Sequence, residues 1–258
     1  MAKAKILAVF GNVALYGQER SNIYVFDTLQ KQDYDLLLLV NDRGFHWHLQ
    51  PEVEANNLRY QKIRFPWNYR KTRKIKSLWL YFSDTIRYNF AFLKAYRAYK
   101  PDYIHFANDF FFMTLAPSLF FLRCPIVFRL GDVPNIRFFL EKWLWKKLII
   151  KKTTHFVCIS KFIAGTLQAI SPNINKFSII NNIPTDRKVQ CEESLPVSDP
   201  NVFTVLYVGQ ISKIKGVDIL YDAAIQLLKK DLNIRFIFAG TLHQSTLFEQ
   251  ISSSLDYE

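Results

Sequence analysis

Short apolar runs recur along the chain at residues 6–10, 36–40, 103–106, 126–130, 156–159, 178–180, 202–208 and 234–239. They are continuous rather than alternating, which suits parallel strands covered on both faces; a sheet with one wet face alternates apolar and polar positions. Helix-length segments separate them at 20–31, 77–100, 109–122, 136–152, 161–170 and 217–230. This alternation predicts an α/β chain built from doubly wound parallel sheets.

The rhythm breaks once. Residues 184–201 hold Pro184, Pro196 and Pro200 and a run of charges (Asp186, Arg187, Lys188, Glu192, Glu193) with neither helical nor strand period, the composition of a linker. The expected organisation is a first Rossmann-like domain over 1–185, a linker over 186–201, and a second over 202–258 that restarts the β-α-β pattern. With two strands and two helices, the last at 245–255, the second domain is expected to be incomplete.

At 258 residues and 50% hydrophobic, with 16% aromatic residues, the chain can bury a large core. Cys124, Cys158 and Cys191 are odd in number and form no C-x-x-C pair, which points away from a disulfide framework or zinc site and toward buried thiols in a reducing compartment. The run at 6–10 is too short for a leader, and the most membrane-like stretch, 110–122, contains Pro117, whereas a spanning helix needs about 20 apolar residues. The expected location is the cytoplasm, or the inner face of a membrane.

Charge changes this picture at one place. Between Arg59 and Lys100 stand twelve basic residues against one acid, Asp84, within a chain whose net charge is +12. The densest part is Arg70, Lys71, Arg73, Lys74 and Lys76, and Trp67, Tyr69, Trp79, Tyr81, Phe82, Tyr88, Phe90 and Phe92 interleave with the basic residues. Three arrangements fit. Basic and aromatic residues together suit an anionic membrane surface, they suit single-stranded nucleic acid, and the aromatics could equally be core beneath a solvated basic face.

The segment 205–220 carries the clearest candidate chemistry. An apolar strand ends at Gly209, a polar loop follows (Gln210, Ile211, Ser212, Lys213, Ile214, Lys215), and a helix opens near Gly216. Ligands of open α/β sheets lie outside the carboxyl ends of strands, and amides at a helix start with a nearby lysine can hold a diphosphate. A plain strand-to-helix turn with two solvated lysines fits the same residues.

This segment resembles the "GR(L/I)…KG" signature of family 4 retaining glycosyltransferases, which have the GT-B fold. His155 to Lys161 is similar to the family's strand ending in Ser before a helix. Ile179 to Asp186 resembles its "I-x-N-G-V-D" turn, Ile234 to Gly240 its "x-L-x-I-x-G" strand, Gly17 to Arg20 its "G-G-x-E" loop, and Pro101 to His105 its "P-D-(V/I)-(V/I)-H" strand. The resemblance implies that Lys215 helps clamp the leaving diphosphate, with Gly209 and Gly17 approaching it through backbone amides. Gln210 stands where the family has Arg, which exchanges a charged fork for a neutral hydrogen-bonding group. Gln18 replaces the second glycine of the N-terminal loop, and Asn182 replaces the glycine of the "N-G" turn, where its tolerance of positive φ would preserve the turn. Asp132 lies about where the family places a His or Asp near the acceptor, and an Asx turn before Pro134 explains it as well. The family's E-x7-E donor motif has no counterpart in this chain.

By resemblance, the function is transfer of a sugar from a nucleotide-sugar donor to a glycan or lipid-linked acceptor, with retention and without cofactor or metal. Because many GT-B enzymes act on lipid-linked acceptors, the basic region is assigned to a membrane surface in preference to nucleic acid. Two alternatives stand beside this: a non-catalytic fragment with a basic membrane- or glycan-binding domain, and another GT-B activity such as a sugar-nucleotide epimerase. Asp33-Tyr34-Asp35 reads as a polar turn, His46 and His48 lack metal-ligand partners, His105 reads as a core histidine, and neither a G-x-G-x-x-G nor a P-loop motif is present.

Overall fold

Every residue from Ile6 to Phe10 in β1 (Lys5–Phe10) is buried, and successive side chains serve two different cores. Ile6, Ala8 and Phe10 join one cluster, Leu7 and Val9 the other. That is the signature of a strand covered on both faces, and β1 lies inside a seven-stranded sheet that is parallel throughout. The computed structural model describes residues 3–13, 15–43, 45–66, 75–134, 136, 138–182, 201–230 and 232–240. It divides into two units, Met1–Asp186 and Arg187–Glu258.

In the first unit the strand order is β3 (Tyr60–Ile63), β2 (Asp35–Asn41), β1, β4 (Tyr103–Phe106), β5 (Ile126–Leu130), β6 (His155–Cys158), β7 (Phe177–Ile179). One face is covered by α1 (Gly17–Lys31) and α2 (Phe45–Ala55), through Ile23, Phe26, Leu49 and Val53. The other is covered by α3 (Ile75–Tyr99), α4 (Asp109–Thr114), α5 (Ala116–Leu119), a π-helical stretch Trp145–Ile149 and α8 (Lys161–Ile170). Short helices α6 (Phe139–Leu144) and α7 (Ile150–Lys152) flank the π stretch. Phe106, Phe112, Phe128, Trp145 and Phe156 are fully buried and touch ring to ring, with centroids 4.4 to 6.0 Å apart. Such pairs add about 0.5–1.5 kcal/mol each beyond area burial.

Local chemistry sets the ends. Ser160 caps α8 by accepting the Ile163 N–H at 3.2 Å, and Asn108 caps α4 by accepting from Phe111 at 3.3 Å. α3 stops where Lys100 turns left-handed (φ 52) before Pro101, which cannot continue a helix. The helix expected over 109–122 is two: Leu115 leaves helical geometry and Pro117, lacking an N–H, sits in the first turn of α5. The helix expected over 136–152 begins at Phe139 and widens at Trp145. β3 and α2 were not expected at all.

The second unit pairs β8 (Phe203–Val208) in parallel with β9 (Ile234–Ala239). Between them run a 3₁₀ turn, Lys213–Lys215, and α9 (Val217–Leu228). Tyr207 and Phe238 pack with Ile211 and Val217, while Phe203, Leu206, Val208 and Ile237 remain exposed. The helix expected at 245–255 and the linker residues 186–200 lie outside the described residues.

Candidate functional site

The first unit's strand order reverses beside β1, whose neighbours β2 and β4 lead in opposite directions. The crevice outside the carboxyl ends at such a reversal is where doubly wound sheets bind ligands. Gly17 opens α1 there, and nothing lies within 4 Å of the place a Cβ would take. Glu19, buried, fixes the turn: its carboxylate accepts the Tyr16 N–H at 3.1 Å and the side-chain amide of Asn12. Gln18 crosses the crevice. Its Nε2 donates to the Ala107 carbonyl after β4 at 2.7 Å, and the same atom lies 3.1 Å from where a Cβ on Gly131 would sit. The first turn of α1 is thereby joined to the loops after β4 and β5, and Asp132, exposed, stands beside this junction. Ala107, Asn108, Gly131 and Asp132 line a cavity of about 30 Å³, and a larger one of about 230 Å³ opens on the other side of Asn108.

A buried arginine, unremarked among the candidates, underpins this edge. Arg129 on β5 is 6% exposed. Its guanidinium donates to Asn22 Oδ1 and Ser21 Oγ on α1, each at 2.6 Å, and to Asn182 Oδ1 beyond β7. All three acceptors are neutral, and burial lowers the pKa of the guanidinium. Asn182, expected to hold a positive-φ turn, does not; positive φ among the described non-glycine residues belongs to Asp33, Asn57 and Lys100. It serves instead as an acceptor for Arg129. On β4, His105 packs edge-on against Phe26 at 5.1 Å, with Nδ1 unpartnered. Burial first, and the Arg129 charge second, push its imidazole down to about 3, so it is neutral at any physiological pH. Burial likewise pushes the Cys158 thiol up to about 11, which makes it an inert core group.

In the second unit, Gly209, Gln210 and Lys215 share the loop between β8 and α9. Gly209 N–H donates to the Ala239 carbonyl and Tyr207 Oη donates to the Gln210 carbonyl, both at 2.9 Å. Lys213 and Lys215 are exposed on the 3₁₀ turn, whose end at Gly216 takes φ 72, a conformation that disfavours any residue with a Cβ. Gly240, at the end of β9, approaches so closely that a Cβ there would overlap the Gly209 carbonyl. The side chains of Ser212 and Asp218 present buried oxygens, Oγ and Oδ1, without hydrogen-bond partners.

Of the basic cluster, Arg70, Lys71, Arg73 and Lys74 lie outside the described residues, as does the side chain of Lys76. The helix that follows sorts its aromatics into two stripes. Tyr88 and Phe92 are fully buried, whereas Trp79, Phe82, Ile86 and Phe90 face outward at 74%, 52%, 57% and 72% exposure. Their spacing of three, four and four residues makes one continuous stripe along α3. Phe138, Phe139, Leu140 and Trp143, at and within α6, are exposed as well, beside exposed Lys142, Lys146 and Lys147. No helix among the described residues is long and apolar enough to cross a membrane, and no cluster of metal-ligating side chains occurs among them. Asp33 sits in a polar turn, paired with Lys3 at 2.8 Å.

A search of curated protein sequences returned no match. The sequence model described as Glycosyltransferase Family 4 matches residues 16–183. Among solved structures, the Anabaena protein Alr3699/HepE, crystallised with UDP and glucose, superposes with a TM-score of 0.65 at 14% identity, over 97% of this chain and 65% of that one. A glycosyltransferase from Rickettsia africae gives 0.65 at 16% identity, over 98% and 64%. The UDP-GlcNAc 2-epimerase of Neisseria meningitidis, bound to UDP-GlcNAc, gives 0.61 at 14% identity, over 98% and 70%. The chain thus spans just under two thirds of the length of the first two structures. At these identities the likeness establishes the fold alone, which is GT-B.

Proposed function

We propose, given that the chain belongs to glycosyltransferase family 4, that it moves a sugar from a nucleotide-sugar donor to a hydroxyl of a glycan or lipid-linked acceptor, with retention of configuration. The observation that carries this reading is the loop after β8. An exposed Lys215 and the left-handed Gly216 stand at the opening of α9, where amides and the helix dipole favour an anion. Negative charge grows on the diphosphate as the glycosidic bond breaks, so a fixed cation there stabilises the transition state more than the ground state. Gln210 adds a neutral donor, Gly17 leaves open space at the start of α1, and Asp132 borders the acceptor side. In this reading the lysine answers the diphosphate charge and no metal is needed.

The test is the unfolding midpoint of the chain with and without millimolar UDP or GDP. Binding to the folded state at a hundredfold excess over Kd stabilises by about 2.7 kcal/mol, and Lys215→Ala is expected to remove most of the shift. A folded chain that responds to neither nucleotide would sink the reading. Sugar-nucleotide epimerases share the fold and the diphosphate chemistry. The match of the transferase family over 16–183 favours transfer, and a strict need for an acceptor in nucleotide release would separate the two.

For the acceptor side, the outward stripe of α3 supports an anionic membrane surface. Its apolar side chains suit insertion at headgroup depth and the adjoining basic residues suit anionic lipid. Flotation with vesicles containing phosphatidylglycerol is expected to capture the chain, and Trp79→Ser with Phe90→Ser to reduce capture at least tenfold. Capture that stays equal in the double variant and in the charge reversal of Arg70, Lys71, Arg73 and Lys74 would refute it.

A further inference from the structure

The cavity of about 230 Å³ at the carboxyl edge of the first unit is lined by Gly11, Asn12, Val13, Asn41, Pro66, Asn108, Phe110 and Phe111. Among the described lining residues are three carboxamides and two aromatic rings, and none of the eight carries a charge. Two of the amides have an arm to spare. Asn12 commits Nδ2 to Glu19 and keeps Oδ1; Asn108 commits Oδ1 to the Phe111 N–H and keeps Nδ2. Asn41 is fully engaged, donating to the Gly11 carbonyl and accepting from Arg43 N–H, each at 3.1 Å. The floor is rigid: a Cβ on Gly11 would fall 2.5 Å from Phe65 and 2.6 Å from Phe111. Phe110 is half-buried, so part of its ring is available to a ligand.

We infer that this cavity is the subsite for the terminal ring of the acceptor, and that this ring is an uncharged pyranose. A pyranose offers C–H faces that pack on an aromatic ring and hydroxyls that pair with one free amide donor and one free amide acceptor. The volume is below the roughly 300–1,000 Å³ of pockets for drug-sized ligands, which suits one ring. Among the described residues, the same surroundings disfavour anionic sugars. Buried Glu19 lies beneath Asn12, and the nearest arginines in sequence are engaged, Arg43 with Asp84 at 2.8 Å and Arg64 with Asp42 at 3.4 Å. Asn108 also lines the small cavity beside Asp132, so a ring seated here reaches toward Asp132. The word acceptor rests on the transferase reading; the sugar site does not.

The test uses the full chain and saturation-transfer NMR with methyl glucopyranoside, methyl galactopyranoside, methyl mannopyranoside and methyl glucuronide. At least one neutral glycoside is expected to receive saturation, strongest at its ring C–H protons, and the glucuronide to receive none. Asn108→Asp keeps the cap on α4 but removes the free donor and adds a charge. It should weaken binding at least tenfold with an unchanged unfolding midpoint, and Phe110→Ala should weaken it similarly. No saturation of any neutral glycoside by folded protein, or equal binding by Asn108→Asp, overturns the proposal. The UDP titration reads the Lys215 loop independently. Glycoside binding without a UDP shift would leave the sugar site standing and remove the transferase reading; a UDP shift without glycoside binding removes the subsite alone.

Discussion

Replacing Arg129 by alanine is expected to lower the unfolding midpoint of the first unit by about 6–12 °C, read from the thermal transition of the full chain. The guanidinium holds α1, β5 and the segment after β7 through three donated hydrogen bonds. Hydrogen bonds to charged groups contribute about 1.5–3 kcal/mol each, but burying the charge offsets part of that. Asn22, 1% exposed, would lose its partner without gaining water. A net loss of about 3 kcal/mol follows, and one kcal/mol moves the midpoint by about 2–4 °C in a unit of this size. Arg129→Met, which refills volume but still orphans Asn22, should recover only part of the loss. A second readout is specific to the charge: with Arg129 gone, the His105 titration moves up, yet stays well below an ordinary histidine because burial is the larger cause of its depression. An alanine variant as stable as the parent would show that the buried charge contributes no net stability.

Gly240→Ala is expected to disable the second unit. The new methyl cannot be accommodated by a rotamer change, because the atom it overlaps is the backbone carbonyl of Gly209. The ends of β8 and β9 must separate, breaking the bond from Gly209 N–H to the Ala239 carbonyl and displacing the loop that carries Gln210 and Lys215. A cost of about 3 kcal/mol or more is typical of forced backbone strain combined with lost hydrogen bonds. In calorimetry the transition of the second unit should fall or vanish while that of the first persists, and the UDP shift should go with it. Gly165→Ala, on α8 at a site with open space, is the control. Retention of both transitions in Gly240→Ala would contradict the close approach.

The apolar runs marked the strands well where both faces are covered, as in β1, β2, β4 and β5. They failed at β3, whose Gln61 and Lys62 are exposed and which pairs with β2 alone; an edge strand has no need of a continuous apolar run. They failed at α2 because Pro51 interrupts its period, although Leu49 and Val53 are fully buried. The mixture of aromatic and basic residues before Lys100 could not be divided between core and surface until the helix phase was known; Tyr88 and Phe92 are core, and Trp79, Phe82, Ile86 and Phe90 face outward. Arg129 had left a faint mark, a charge inside the run Ile126–Leu130. The 230 Å³ cavity had left none, since its walls come from four separate segments that meet only because β1 lies between β2 and β4.

That strand order also bears on how the first unit is made. The ribosome delivers β1, β2 and β3, which pair in sequence and build one wing of the sheet; the other edge of β1, complete at Phe10, stays open until β4 begins at Tyr103. Once β4 docks on that edge, β5, β6 and β7 each arrive beside the strand just laid down. Nascent growth can therefore follow synthesis without threading a strand between two already paired. The vulnerable interval is the wait for β4, when the open edge of β1 and the outward stripe of α3 are both on offer to a chaperone or to a neighbouring nascent chain.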